Sequence, residues 1–409
     1  MNDVDKRIEQ WLRQAGLAFH PFRYLEASQD EHLLRFLVIY EGLERAWEEG
    51  SALVVAPVGG GKTALRHYVT WTSQRGWRTF FPVPYFLPRH WDHLPPADIA
   101  AQARVMGQAV ARSLLLHWLT LPQAFLELSS RAQRELCARL WQVFPEMPFV
   151  AARWRDLTAS ADPAAAWRRF LGDLTESAQM GGYAPPPLRY LREVGEPLAR
   201  GNGRPYPSTA DNPNRLTDLL ETVRGVYEAG LLFLMDGLDA FPETADGNGG
   251  HNRGWMQSWL TRWQAELPAW VQVKVFVPPS WAPDDLPPGI GRVDVRWTPA
   301  LLAEVIRRRI AIATDNEFDS LDAIADAGIR HFEQTLAHTT VAAGRPLPRE
   351  MIALTRRVLI EHVLARPNDP LLRGEDVYAA QRWYTTGQSV GSRNFPRYDD
   401  VPLGRRSKS

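Results

Sequence analysis

Apolar and polar positions along the 409 residues follow two periods. Short apolar runs predict the strands of a parallel sheet, and the first of them, apolar on both faces, suits its centre. They are "SALVVA" from Ser51, "WRTFFPVPYF" from Trp77, "LLFLMD" ending at Asp236, "VQVKVFVP" from Val271 and "VDVRW" from Val293. The second is expected to end at its prolines. Between these runs the spacing is helical. Residues 3–15 predict a short helix with Ile8, Trp11 and Leu12 on one face. "SQDE" (Ser28 to Glu31) has capping-box form, in which Ser28 caps and Glu31 reaches back. It predicts a helix carrying Leu33, Phe36, Leu37, Tyr40, Leu43 and Trp47, ended by Gly50. A further helix is expected from Lys62 to about Ser73.

Four helical patterns separate the second and third strands: "PPADIAAQARVMGQAVARSLLLHWL", "SRAQRELCARLWQVF", "DPAAAWRRFLGDLTESAQ" and "RLTDLLETVRGVYEAG". The polar loop "GNGRPYPSTADNPN" precedes the last of them. "GWMQSWLTRWQAEL" lies between the third and fourth strands. After Trp297 the pattern is helical only. "TPALLAEVIRRRIAIA" has Thr298 as cap and Pro299 at its first position, and "PREMIALTRRVLIEHVLA" and "GEDVYAAQRWY" follow. The alternation argues an α/β fold with a parallel sheet covered by helices on both faces. The expected organisation is N-terminal helices and a linker over 1–50, a core over 51–298 with a helical insertion near 88–212, a helical subdomain over 299–385 and a flexible tail over 386–409.

Composition narrows the classes. Lys plus Arg and Asp plus Glu both total 47. This neutral balance predicts no polyanionic partner, although a local basic patch fits within it. The one cysteine, Cys137, excludes an internal disulfide and cysteine zinc clusters, and suits a reducing compartment. It lies in a helical apolar pattern, as a packing residue. The charged N-terminus lacks a signal-peptide core, and no stretch approaches the ~20 apolar residues of a spanning helix. A cytoplasmic protein without membrane contact is expected. The 16 tryptophans are expected to fill core gaps and helix interfaces. Ten histidines show no metal-ligand spacing, and no G-x-S-x-G elbow is present.

The candidate chemistry begins at "APVGGGKT", Ala56 to Thr63. A glycine-rich turn between a buried strand and a helix points successive backbone N–H groups at the helix's positive end, where an anion binds. Val58, Gly59, Gly60, Gly61, Lys62, Thr63 and Ala64 are the candidate phosphate cradle. Lys62 has the reach for outer phosphates, and the Thr63 hydroxyl suits Mg²⁺. Gly59, Gly61, Lys62 and Thr63 match the P-loop pattern; its leading glycine is replaced by Ala56. The second element is "LLFLMDGLD". Asp236 stands at the end of a buried strand, outside which ligands of open parallel sheets bind. It is a candidate metal ligand with Thr63. Asp239 is a candidate for orienting or activating an attacking water. Lys62, Asp236 and Asp239 are the candidate catalytic residues.

"LMDGLDA" after its hydrophobic strand, with "APVGGGKT" upstream, resembles the signalling P-loop ATPases of the STAND class, relatives of the AAA+ and origin-recognition ATPases. "FHPFRYLEASQDEHLLRFLV" followed by that loop resembles an uncharacterised bacterial subfamily of the same kind. The resemblance spans Phe19 to Ala380 apart from the inserted helices. It implies a P-loop NTPase fold, a three-layer parallel sheet with a C-terminal all-helical lid, binding ATP and Mg²⁺. It implies that Pro21 and Phe22 contact the base. It also implies that Gly344, Pro346 and Arg349 in "GRPLPRE" form a lid element with a sensor arginine, and that Ser280 stands at a polar sensor position. Arg307, Arg308 and Arg309 are either a finger for a neighbouring subunit or a solvated helix face.

Three uses of the nucleotide stay open. The first is an ATP-hydrolysing conformational switch in a multi-protein signalling or defence system, with other protein subunits as partners and a homo-oligomer possible. The second is a DNA-associated ATPase of origin-recognition or transposition-helper type, against which stand the neutral charge and the lack of a readable winged helix. The third is a nucleotide-binding scaffold without turnover.

Overall fold

The computed structural model describes residues 3–76, 80–87, 97–174, 185–200, 214–240 and 250–386. The tail expected over 386–409 and the loop before the last inserted helix lie almost wholly outside these residues. The chain divides into two compact units: Glu26–Arg296, and Met1–Leu25 together with Trp297–Ser409. The segment expected over 1–50 is therefore shared between them.

The larger unit holds five parallel strands: β1 (Ser51–Val55), β2 (Phe80–Phe86), β3 (Gly230–Asp236), β4 (Val271–Val277) and β5 (Ile290–Asp294). The first four lie on the expected runs, whereas β5 begins three residues ahead of "VDVRW" and ends at its Asp294. Their order is β2-β3-β4-β1-β5. Side chains alternate between the two faces. Leu53 and Val55, Phe81, Val83 and Tyr85, Leu231, Phe233 and Met235, and Val271, Val273 and Val275 belong to one continuous core. The intervening residues, including Asp236, face the helix Lys62–Gly76.

β2 does not end at its prolines but runs through Pro82 and Pro84 to Phe86. It is an edge strand, and the two prolines are two residues apart. Both missing N–H groups therefore fall on the unpaired side, while Phe81, Val83 and Tyr85 keep theirs for β3.

Between β2 and β3 lie the helices Ile99–Thr120, Gln123–Leu126, Ser130–Val143, Met147–Ala159, Pro163–Leu174, Leu188–Arg200 and Asn214–Tyr227; Gly250–Glu266 precedes β4. Their apolar faces join the same core as the sheet. The tryptophans fill it, and their indole N–H groups find acceptors. Trp118 donates to Tyr227 Oη at 2.6 Å, Trp154 to Leu191 O at 2.7 Å, Trp167 to Leu119 O at 2.9 Å and Trp259 to Gln102 Oε1 at 3.0 Å. Cys137 is buried among them, and burial pushes its thiol up to about 12. The helix Leu188–Arg200 is hidden in the sequence by Gly195 and Pro197. A Cβ at Gly195 would lie 2.7 Å from Trp154 Cδ1, so the glycine admits the ring that bonds Leu191 O.

The helix expected over 28–50 is reduced to one turn, Leu33–Phe36, between 3-10 turns at Ala27–Gln29 and Glu44–Ala46. Tertiary hydrogen bonds outcompete the local pattern. Tyr40 Oη donates to Arg296 O at 2.7 Å, Gly50 N to Gln272 Oε1 at 2.8 Å and Lys274 Nζ to Glu48 O at 2.8 Å. Gly42 and Gly50, with φ of 101° and 104°, supply conformations no helix contains.

The second unit is helical: Asp3–Gln14, Pro299–Ala313, Phe332–Ala342, Pro348–Ala365 and Gly374–Thr386. Ile8, Trp11 and Leu12 are buried, as their spacing predicts. Trp11 Nε1 donates to Asp369 O at 2.7 Å, and Asp5 pairs with Arg356 at 2.8 Å. Thr298 caps Pro299–Ala313 by accepting from Leu301 N at 3.2 Å. Among the described residues no helix is long and apolar enough to cross a membrane.

Lys274 is a buried cation inside the sheet, between Ala52 of β1 and Leu234 of β3. Burial pulls its ammonium down to about 8 against a weaker opposing pull from Glu48. Between there and the ordinary lysine value of 10.5 the unfolded chain holds a proton that the native chain has lost. Stability therefore rises with pH across that window, by up to about 1.4 kcal/mol per pH unit. Urea denaturation at pH 7.5 and 10 should show this increment in wild type minus Lys274→Met; an unchanged difference would refute it.

Candidate functional site

The site is built where β1 turns into the helix Lys62–Gly76. Ala56 N donates to Val277 O at 3.0 Å, extending the β1–β4 ladder by one residue, and Ala56 is fully buried. Gly60 N donates to Pro57 O at 2.9 Å to close the turn, and Leu65 N donates to Gly61 O at 2.9 Å to open the helix. Gly59 and Gly61 have φ of 82° and 93°, which a side chain would strain. Gly60 is glycine for a different reason: a Cβ there would sit 2.9 Å from Pro57 O and 3.2 Å from the Ala56 Cβ. Ala56 is not among the residues with positive φ. The turn therefore tolerates a methyl at 56 because its steric demand falls on Gly60.

The connections also place this turn. The helix after β1 covers one face of the sheet, while the helices after β2 and β3 pack on the other. Connections change face at β1, the arrangement that opens a crevice beyond the C-terminal ends of parallel strands.

Lys62 is buried at the first position of its helix. Its ammonium folds back on the turn, donating to Ala56 O at 3.1 Å and Pro57 O at 3.2 Å, and lies 3.4 Å from Asp239 Oδ2. The chain has four lysines, Lys6, Lys62, Lys274 and Lys408, and uses arginine for its other side-chain cations of that class. At position 62 a compact ammonium with three rotatable donors meets three acceptors, which a planar guanidinium matches less well.

Asp239 reaches Lys62 through the β3 terminus. Asp236 ends the strand and its Oδ1 accepts from Gly237 N at 2.8 Å. Gly237, with φ of 84°, turns the chain into a 3-10 turn, Leu238–Ala240. Leu238 returns to the core and anchors that turn, leaving Asp239 exposed.

Asp236 has a partner that the motif reading did not single out. Arg66 Nε donates to Asp236 Oδ2 at 3.1 Å, with both side chains buried. Arg66 follows Lys62 by four residues, so the two cations share one helix face a turn apart. That spacing is a sequence signal, since this face otherwise meets buried strands. Arg66 Nη2 also donates to His67 Nε2 at 3.0 Å. Burial, then the neighbouring guanidinium, pulls His67 down to about 2. It is a neutral ring accepting at Nε2, with its proton on Nδ1.

Thr63 and Ala64 occupy the next helix positions, and Val58 is exposed at the tip of the turn. Thr63 and Asp236 offer a hydroxyl and a carboxylate, the oxygen donors a magnesium–nucleotide takes alongside phosphate oxygens and water. This set fits the ion by donor type, with Arg66 already on the carboxylate. Among the described residues no three His, Cys, Asp or Glu side chains gather into a metal-holding group.

Pro21, Phe22, Pro346 and Arg349 belong to the other unit. Phe22 is buried with its ring edge-on to His20, and Pro21 O accepts from Arg309 Nη1 at 2.6 Å. Arg309 is thus a buried internal tie, not a finger, while Arg308 is exposed. Arg349 opens the helix Pro348–Ala365, after Gly344 (φ 73°) closes the preceding one. Ser280 lies in the 3-10 turn Pro279–Trp281, which Trp281 anchors in the core.

No protein-family model and no curated protein matches the chain.

If Gly60 is the steric pivot, Gly60→Ala should destabilise the larger unit by about 1–3 kcal/mol. Ala56→Gly should cost no more than about 1 kcal/mol. Urea denaturation of both variants checks the order, and equal losses would remove Gly60 from that role.

Proposed function

We propose that the chain is a magnesium-dependent ATPase of P-loop type that works as a conformational switch on protein partners. The observation that carries this reading is the meeting of Lys62 and Asp239 at a glycine turn between a buried strand and a helix. An anion seated there faces the N–H groups of the turn and the first helical turn, at the positive end of the helix. Lys62 is the charge that reaches it. In the ligand-free chain that charge is satisfied by two carbonyls of the turn and by Asp239.

Binding a triphosphate requires Lys62 to exchange those acceptors for phosphate oxygens. The exchange frees Asp239, whose carboxylate is then available to orient a water for attack and to take its proton. Nucleotide binding thereby arms the base that hydrolysis uses. Thr63 and Asp236 would hold Mg²⁺, which supplies neutralisation of the phosphate charge when bound. The choice of ATP, and the link to signalling or defence partners, rest on the resemblance of "APVGGGKT" and "LLFLMDGLD" to STAND-class and AAA+ enzymes. The two separately packed units supply the two bodies that a nucleotide switch needs.

Phosphate release from ATP by the full chain, measured with Mg²⁺, tests the reading. Lys62→Ala should lose nucleotide binding and turnover together. Asp239→Asn should retain binding and lose about 10²–10⁴-fold in turnover, the range for a lost general base. Equal release from wild type and both variants would refute the site.

A further inference from the structure

Arg66 has no part in the reading above, yet it occupies the carboxylate which that reading assigns to the metal. Its Nε donates to Asp236 Oδ2, its Nη2 donates to His67 Nε2, and its guanidinium lies 4.7 Å from the centroid of the Phe86 ring. Phe86 is the register partner of Asp236 across β2 and β3. Carboxylate, neutral imidazole and aromatic face therefore surround one buried cation, and Asp236 Oδ1 accepts from Gly237 N at 2.8 Å.

A divalent ion at about 2.1 Å from a carboxylate oxygen would stand beside a guanidinium hydrogen-bonded to that same group. Like charges so close repel, and burial leaves the repulsion poorly screened. The carboxylate serves one cation or the other. We infer that Arg66 is the resident counter-cation of Asp236 and sets the metal threshold of the nucleotide site. It holds the carboxylate in place without ligand and yields it when a divalent cation binds. Release does not strand the guanidinium, because His67 and the Phe86 ring remain as an acceptor and a cation–π partner. Arg66 is thus a positioning residue acting through Asp236, and the inference rests on the nucleotide site proposed above.

The test is binding of a fluorescent ATP analogue to the full chain, first in EDTA and then with magnesium titrated in. Arg66→Gln should leave the EDTA affinity unchanged and lower the half-saturating magnesium concentration roughly tenfold, within the usual range for coupled binding steps. Asp236→Asn should abolish the magnesium response. Arg66→Lys, which keeps the charge without the guanidinium fork, should fall between wild type and Arg66→Gln, and carries the test if the glutamine variant does not fold. An unchanged or raised magnesium requirement in the Arg66 variants overturns the inference while leaving the nucleotide site standing. Loss of EDTA affinity in those variants overturns it too, by making Arg66 a phosphate ligand. A wild-type chain that binds no analogue in either condition removes both the site and the inference.

Discussion

Two cations one helical turn apart, each closed against a carboxylate from the end of β3, organise the site. Lys62 meets Asp239 and Arg66 meets Asp236. The pairing links the first turn of a helix to the terminus of a strand two positions away in the sheet. It depends on strand parity. Leu231, Phe233 and Met235 enter the large core, so Asp236 must face the helix. A one-residue slip in β3 would bury the carboxylate among apolar side chains and leave Arg66 a buried charge without its counter-ion. The seven-residue register between β2 and β3 holds that parity.

The same parity separates two kinds of packing. One face of the sheet is continuous with the helices between β2 and β3, so this insertion is not an appendage but part of the core. The other face meets the helix Lys62–Gly76 and carries the polar groups: Gln272, Lys274 and Asp236. Each has a specific partner, as buried polar groups require. Gln272 and Lys274 hold the irregular segment before β1. Asp236 pairs with Arg66 on the helix that follows the turn.

Much of this was legible along the chain. The five strands, the all-parallel sheet, the N-terminal amphipathic helix and the Thr298 cap follow from periodicity and capping chemistry. The glycine turn and the two aspartates were legible as candidates because their residue types and spacing are unusual. Arg66 was overlooked because an arginine in a helix is ordinarily solvated. Only the sheet order that brings β3 beneath it makes this one buried.

Local sequence therefore determined which segments are apolar on both faces, which turn needs glycine and which residues carry charge beside it. Those properties are set within a few residues, by sterics and by burial period. Tertiary structure alone decided the rest. β2 runs through its prolines because it lies at an edge, where a missing N–H costs no ladder bond. The segment over 28–50 gives up its helical pattern because Tyr40, Glu48 and Gly50 find partners on distant residues. Lys62 and Arg66 choose different aspartates because β3 ends between them, a distance in space that no spacing in the sequence records.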